Sequence, residues 1–216
     1  MNKIKSKKVR GIVVALKANF FIVEVNDLEI NSISLYKSLQ SIRLLCTRRS
    51  KLDYQGSYID VGDIVFLDSI DWTNKRAAIS DLVPRKTFVS RPAVANVSLI
   101  VICISVAEPL FDPEQTSRFL LTCENTNIKA LLVLTKVDLI TKQNLNLYIN
   151  RLKLWGYDPI PISIKNKQGI ELLLEKLKKT TLSVLAGPSG VGKTSLINYL
   201  MPYLSLRTSS VSKKLK

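Results

Sequence analysis

Residues 187–195 read GPSGVGKTS and follow a short apolar run at 182–186. The spacing is G-x-x-x-x-G-K-[ST], a phosphate-binding loop set between a strand and a helix. Gly187, Gly190 and Gly192 lack a Cβ, so the main chain can turn with positive φ and approach a phosphate closely. The N–H groups of Pro188-Ser189-Gly190-Val191-Gly192 and of the helix that follows converge on an anion, apart from Pro188, which has none. Lys193 has the reach for β- and γ-phosphates, and the Thr194 hydroxyl can sit on Mg²⁺ with Ser195 beside it. Lys193 and Thr194 are therefore the candidate catalytic pair, and Thr194 the candidate metal ligand.

Two further stretches bear on the base. Residues 135–138 read TKVD after an apolar run. The Asp138 carboxylate can accept two hydrogen bonds from the ring N–H and exocyclic amine of guanine. Adenine lacks that donor pair, so the wrong base leaves a charge unpaired. The stem of Lys136 can pack on the base plane. Thr135 can tie this loop, which continues through Val137, to the phosphate loop. Residues 163–165 read SIK. Ser163-Ile164-Lys165 is similar to the S-A-K loop whose backbone N–H meets guanine O6, with Ile164 bulkier than the usual Ala.

These loops need a scaffold. Residues 97–106, 130–134, 158–164 and 182–186 are apolar, and they alternate with helix-like stretches at 113–124, 142–155 and 170–179. Buried strands alternating with helices predict a doubly wound parallel sheet. The three loops then fall at the carboxyl ends of strands in one sheet, where such folds bind ligands. The base-reading motifs precede the phosphate loop, the reverse of the ordinary order. A sheet keeps its site when its connections are rewired, so the order predicts a circular permutation.

The first part of the chain is different. Short β-rich stretches at 9–16, 20–25, 41–47, 63–68 and 76–84 alternate with Asn, Asp and Gly, which predicts a small OB-fold-like barrel. The predicted domains are 1–85, the barrel, and 86–216, the α/β domain, joined by a linker near 85–91. Arg43, Arg48, Arg49 and Lys51, with Tyr54 and Tyr58, make a candidate RNA-binding face on the barrel. The basic run at 3–10 is a candidate nucleic-acid arm.

Composition narrows the class. The 216 residues are 46% hydrophobic and 23% charged, as in a globular protein. Lys and Arg number 32 against 17 acids, a formal +15 that points to a polyanionic partner. There is no histidine, and Cys46, Cys103 and Cys123 stand far apart. That excludes paired zinc-ligand spacing and favours a reducing compartment. No apolar run is long enough to span a bilayer, which predicts no membrane association. The expected location is the cytoplasm, or a plastid stroma given the Lys-, Asn- and Ile-rich composition.

Taken together, the chain resembles the circularly permuted GTPases of the RsgA (YjeQ) type. The resemblance rests on the OB-like first part, the junction at 91–97 (RPAVANV), Ala107-Glu108-Pro109, Arg118-Phe119-Leu120, Thr135–Asp138, Ser163–Lys165, GPSGVGKTSLIN and 206–215. It implies binding of GTP and GDP with Mg²⁺, GTP hydrolysis stimulated by the small ribosomal subunit, ribosomal RNA contact through the barrel, and a monomer. In that family a switch threonine, a D-T-P-G element and a zinc-binding Cys/His domain follow. This sequence ends at Lys216 without them and carries no zinc ligands. The expectation is an incomplete sheet, weak guanine-nucleotide binding and slow or absent hydrolysis. One alternative is a hydrolysis-deficient remnant that binds RNA and guanine nucleotide without turnover. Another is a guanylate-kinase-like enzyme, which the 21 residues after Ser195 are too few to complete.

Overall fold

A computed structural model describes residues 9–26, 41–50, 52 and 58–207. Lys51, Tyr54 and the basic run at 3–8 lie outside them. The chain divides into two compact units, Met1–Asn96 and Val97–Lys216.

The first unit is a closed five-stranded barrel in the order β1-β2-β3-β5-β4. Its strands are β1 (Val9–Lys17), β2 (Phe20–Asn26), β3 (Ser41–Arg48), β4 (Ile64–Asp71) and β5 (Arg76–Leu82). All pairings are antiparallel except β3 with β5. Alternation along each strand puts one face inward. Val13, Val23, Val25, Leu44, Cys46, Val65 and Ile79 are fully buried inside. This is the OB-like barrel that the strand pattern predicts.

The stretch expected as a linker is structured. β6 (Phe88–Ser90) and β7 (Ala93–Ala95) form an antiparallel hairpin turning at Arg91-Pro92. Ala95 N–H donates to Val61 O (2.8 Å), and the Asn96 side chain donates to Gly62 O (2.9 Å). The unit boundary accordingly falls at Asn96, eleven residues beyond the boundary the composition suggests. Strands of three residues are too short for their periodicity to stand out from a loop. Arg85 fastens the approach to this hairpin. Its guanidinium donates to both oxygens of the fully buried Asp63 (2.8 and 2.7 Å), to Asp60 (2.9 Å) and to Tyr58 O (2.9 Å).

The second unit is built on a parallel sheet in the order β10-β9-β8-β11. Its strands are β8 (Leu99–Ser105), β9 (Lys129–Thr135), β10 (Ile160–Pro161) and β11 (Ser183–Ala186). β8 is buried at all seven positions, which explains its unbroken apolar run. Four helices accompany the sheet among the described residues: α1 (Pro113–Glu124), α2 (Lys142–Leu154), α3 (Ile170–Lys178) and α4 (Lys193–Leu200). Asp112 caps α1 by accepting from Gln115 N–H, with Pro113 at the first helical position. Thr141 caps α2 in the same way. Leu173, Val191 and Leu196 pack with β8, β9 and Ile162 in one core. β10 is shorter than its apolar run, because the chain turns away after Pro161 to present Ser163.

Candidate functional site

The three motifs meet at the carboxyl ends of the parallel strands. β9 ends on Thr135, and Asp138 follows on a short 3₁₀ turn (Val137–Leu139). β10 leads into Ser163-Ile164-Lys165, and β11 leads into the loop at 187–192. A cavity of about 190 Å³ opens between them. Thr135, Lys136 and Asp138 line it from the first motif, Ile164 and Lys165 from the second, and Val191, Gly192 and Ser195 from the third.

Hydrogen bonds hold the loops in register. The Thr135 hydroxyl faces Val191 O at 2.6 Å and Ile104 O at 3.3 Å, and the shorter contact takes its proton. This bond joins the base-reading strand to the phosphate loop across 56 positions of sequence. Val137 N–H reaches Ile162 O at 3.4 Å. The buried Ser163 hydroxyl donates to Asp138 Oδ1 at 2.6 Å and accepts from Asn166 N–H at 3.1 Å. One carboxylate oxygen is thereby anchored, and the side chain still lines the cavity.

Lys136 takes the left-handed conformation (φ 60°), and its ammonium donates to the Glu108 carbonyl. Its stem is thus stretched along the cavity wall. Ile164 is half-buried against the sheet core, which accommodates the bulk that distinguishes it from alanine.

In the phosphate loop, Gly187, Gly190 and Gly192 have φ of 135°, 80° and 94°. Gly187 is also pinned by space, since a Cβ there would lie 2.1 Å from Cys103 O. Lys193 Nζ sits within the curve of the loop, 2.8 Å from Gly187 O and 2.5 Å from Pro188 O. Thr194 is half-buried in the first turn of α4, while Ser189 and Ser195 are exposed. Burial on the central strand pushes the Cys103 thiol up to about 12, against a smaller lowering by Lys193. That thiol is chemically inert at neutral pH and serves as packing.

All the sequence-predicted nucleotide-site residues belong to the second unit, and the candidate RNA-binding residues Arg43, Arg48, Arg49 and Tyr58 belong to the first. Those that line the cavity come from all three motifs, and the loop carrying Gly187, Pro188, Ser189, Gly190, Lys193 and Thr194 adjoins it. Sequence reasoning passed over two features. The Ser163 hydroxyl grips Asp138 as well as heading its own loop, and the Glu108 carbonyl orients Lys136. Each links positions 25 and 28 residues apart, and no motif spacing encodes either pairing.

The arrangement can hold an anion in the loop and read a planar base with a carboxylate. Among the described residues no group of His, Cys, Asp and Glu could form a separate metal site. No helix among them is long and apolar enough to cross a membrane.

Known proteins carry the same framework. The RsgA GTPase family model matches residues 82–216. A small ribosomal subunit biogenesis GTPase RsgA from Prochlorococcus marinus (strain NATL2A) is 66% identical over 216 residues, covering 100% of this chain and 69% of that protein. The protein of the same name from Parasynechococcus marenigrum (strain WH8102) is 46% identical over 95% of this chain and 66% of its own length. The crystal structure of YjeQ from Thermotoga maritima superposes with a TM-score of 0.78 at 31% identity, covering 94% of this chain and 68% of that one. YloQ, a circularly permuted GTPase, gives 0.70 at 25% identity, covering 94% of this chain and 68% of its own. With the permuted motif order, the shared cavity and these relatives, the chain belongs to the RsgA GTPase family.

Proposed function

We propose that the chain binds GTP and GDP with Mg²⁺ in the cavity of its second unit, hydrolyses GTP, and serves maturation of the small ribosomal subunit. The observation that carries the nucleotide reading is the Thr135–Val191 bond. It couples the base-reading loop to the phosphate loop around one cavity of about 190 Å³.

The residues present fit the ligand. Three positive-φ glycines leave the loop's N–H groups open to phosphate, and Lys193 lies where an ammonium can neutralise it. Bound Mg²⁺ would neutralise charge building on the transferred phosphoryl group. Thr194 is the residue that would hold that ion, together with phosphate oxygens. Asp138, fixed by Ser163, accepts from the guanine N1–H and 2-amino group. The Lys136 stem lies along the base, and the backbone N–H groups at Ile164 and Lys165 serve guanine O6. Lys193 exchanges the carbonyls of Gly187 and Pro188 for phosphate oxygens when nucleotide enters.

The relatives' name supplies the partner, the small ribosomal subunit, and the +15 charge suits its RNA. A monomer acting in the cytoplasm is the simplest form of this reading; the relatives are bacterial, and nothing in them supports a plastid setting.

Titration with fluorescent GDP tests it. Saturable binding is expected, displaced by GTP and not by ATP. Asp138→Ala removes two charge-assisted hydrogen bonds and should weaken GDP roughly 100-fold or more. Equal displacement by ATP, or an Asp138→Ala variant that binds GDP normally, contradicts it. GTP turnover with and without small subunits then measures the hydrolysis.

A further inference from the structure

Among the described residues of the second unit, four buried side chains are polar, and all are hydroxyls: Ser105, Thr116, Thr135 and Ser163. Thr116 returns its proton to Asp112 O at the start of its own helix. Two others each hold a loop of the nucleotide site. Thr135 bonds Val191 O of the phosphate loop, and Ser163 bonds Asp138. Ser105 is left. It ends the central strand β8, pairs in register with Thr135 on β9, and is 1% exposed. A hydroxyl at that depth is kept where protein partners replace water.

Both partners lie on one residue. The Ser105 hydroxyl donates to the Ala107 carbonyl and accepts from Ala107 N–H at 3.2 Å. Val106 N–H donates to Thr135 O at 3.2 Å, so the ladder with β9 runs one residue further before the chain leaves the sheet. Val106 and Ala107 are buried. The turn is thereby fixed as far as Glu108. Glu108 itself is exposed, with φ 51°, a left-handed conformation that a residue with a side chain rarely keeps without support. Its carbonyl accepts from the Lys136 ammonium. A lysine stem has four carbons and many rotamers, and freezing them on binding lowers affinity. A carbonyl already in place removes that loss.

We propose that Ser105 is a positioning residue for nucleotide binding. Through Ala107 it fixes the Glu108 carbonyl, which extends Lys136 along the cavity wall before nucleotide arrives. Being buried, Ser105 is shut off from the ligand and acts through Lys136. The proposal rests on the reading that this cavity takes a guanine nucleotide.

Two measurements on the full chain test it. The first needs no nucleotide. Competitive acetylation with limiting acetic anhydride, read by mass spectrometry, gives the reactivity of Lys136 relative to the other lysines. Ser105→Ala deletes one oxygen and should raise the Lys136 ratio roughly two- to tenfold, as one hydrogen bond is released. Lys153, near the far end of α2, should keep its parent ratio and so report an intact fold. The second measurement is GDP titration in a double-mutant cycle. Ser105→Ala should weaken GDP roughly two- to tenfold in the parent. It should add almost nothing in a Lys136→Met background, which keeps an unbranched stem and removes the ammonium. A general loosening of the turn would weaken both backgrounds equally. An unchanged Lys136 ratio overturns the proposal. So do unchanged GDP affinity in Ser105→Ala and additive losses in the cycle. A parent that binds no GDP contradicts the nucleotide reading instead, and the acetylation ratio then decides alone whether Ser105 holds Lys136.

Discussion

Asp138 reads the base only if its carboxylate is held still, and the Ser163 hydroxyl holds it at 2.6 Å. Ser163→Ala removes that anchor and leaves Asn166 N–H without its acceptor. The expected result is GDP binding weakened by roughly tenfold, the equivalent of one hydrogen bond to a charged group. Unaltered binding would show that the Asp138 orientation is set elsewhere. Thr135→Val is the companion case: it orphans the Val191 carbonyl and should cost about 1–3 kcal/mol of stability in urea unfolding. The two residues differ in how legible they were. Thr135 belongs to a motif whose position demands a bond to the phosphate loop. Ser163 stands in a motif that works through its main chain, so its side-chain bond to Asp138 becomes visible only when the β9 and β10 loops are brought together.

The phosphate loop is one element in which equal residue types carry unequal constraints. Gly187 and Gly192 both have positive φ, which side chains rarely adopt. At Gly192 a Cβ meets nothing within 4 Å; at Gly187 it would strike the Cys103 carbonyl at 2.1 Å. Gly192→Ala should therefore cost about 1–2 kcal/mol of stability by conformation alone. Gly187→Ala should cost more, because β11 must part from β8 at the Cys103 carbonyl, and it should lose nucleotide binding. Equal costs in urea unfolding would contradict this geometry. Among the elements, the long buried strand β8 was plain from its unbroken apolar run and the helices α1 and α2 from the helix-like stretches that alternate with such runs, whereas their caps appear only in the structure. The β6–β7 hairpin was not, because a three-residue strand has too little alternation to register, and its Arg91-Pro92 turn reads as linker. β10 was overextended for the opposite reason: its apolar residues continue past the last ladder pair into the turn that delivers Ser163.

For the molecule as a whole, composition sets the pH response. No histidine is present, so no side chain of ordinary pKa titrates between about pH 5 and 8. Burial raises Cys46 and Cys103 to about 12, whereas an unfolded thiol ionises near about 8.5. Above that pH the unfolded chain binds fewer protons than the folded one, so stability falls as pH rises. Urea midpoints should be nearly flat from about pH 6 to 8 and drop above about 9, and both thiols should resist alkylation in the native state. A steep change within the flat range, or rapid native alkylation, would count against this burial. The two-unit plan was legible from the switch between strand-and-turn and strand-and-helix patterns, and the permuted motif order was legible directly. The pairing of the two halves of the site was an expectation that needed the sheet order β10-β9-β8-β11 to take physical form. The central claim is that Asp138 and the phosphate loop grip opposite ends of one guanine nucleotide. Asp138→Asn tests it most directly, because xanthine carries a carbonyl where guanine has its 2-amino group, and an amide can donate to that carbonyl. The account predicts that fluorescent GDP binding falls roughly 100-fold while the xanthosine diphosphate analogue gains affinity; unchanged preference for GDP would contradict it.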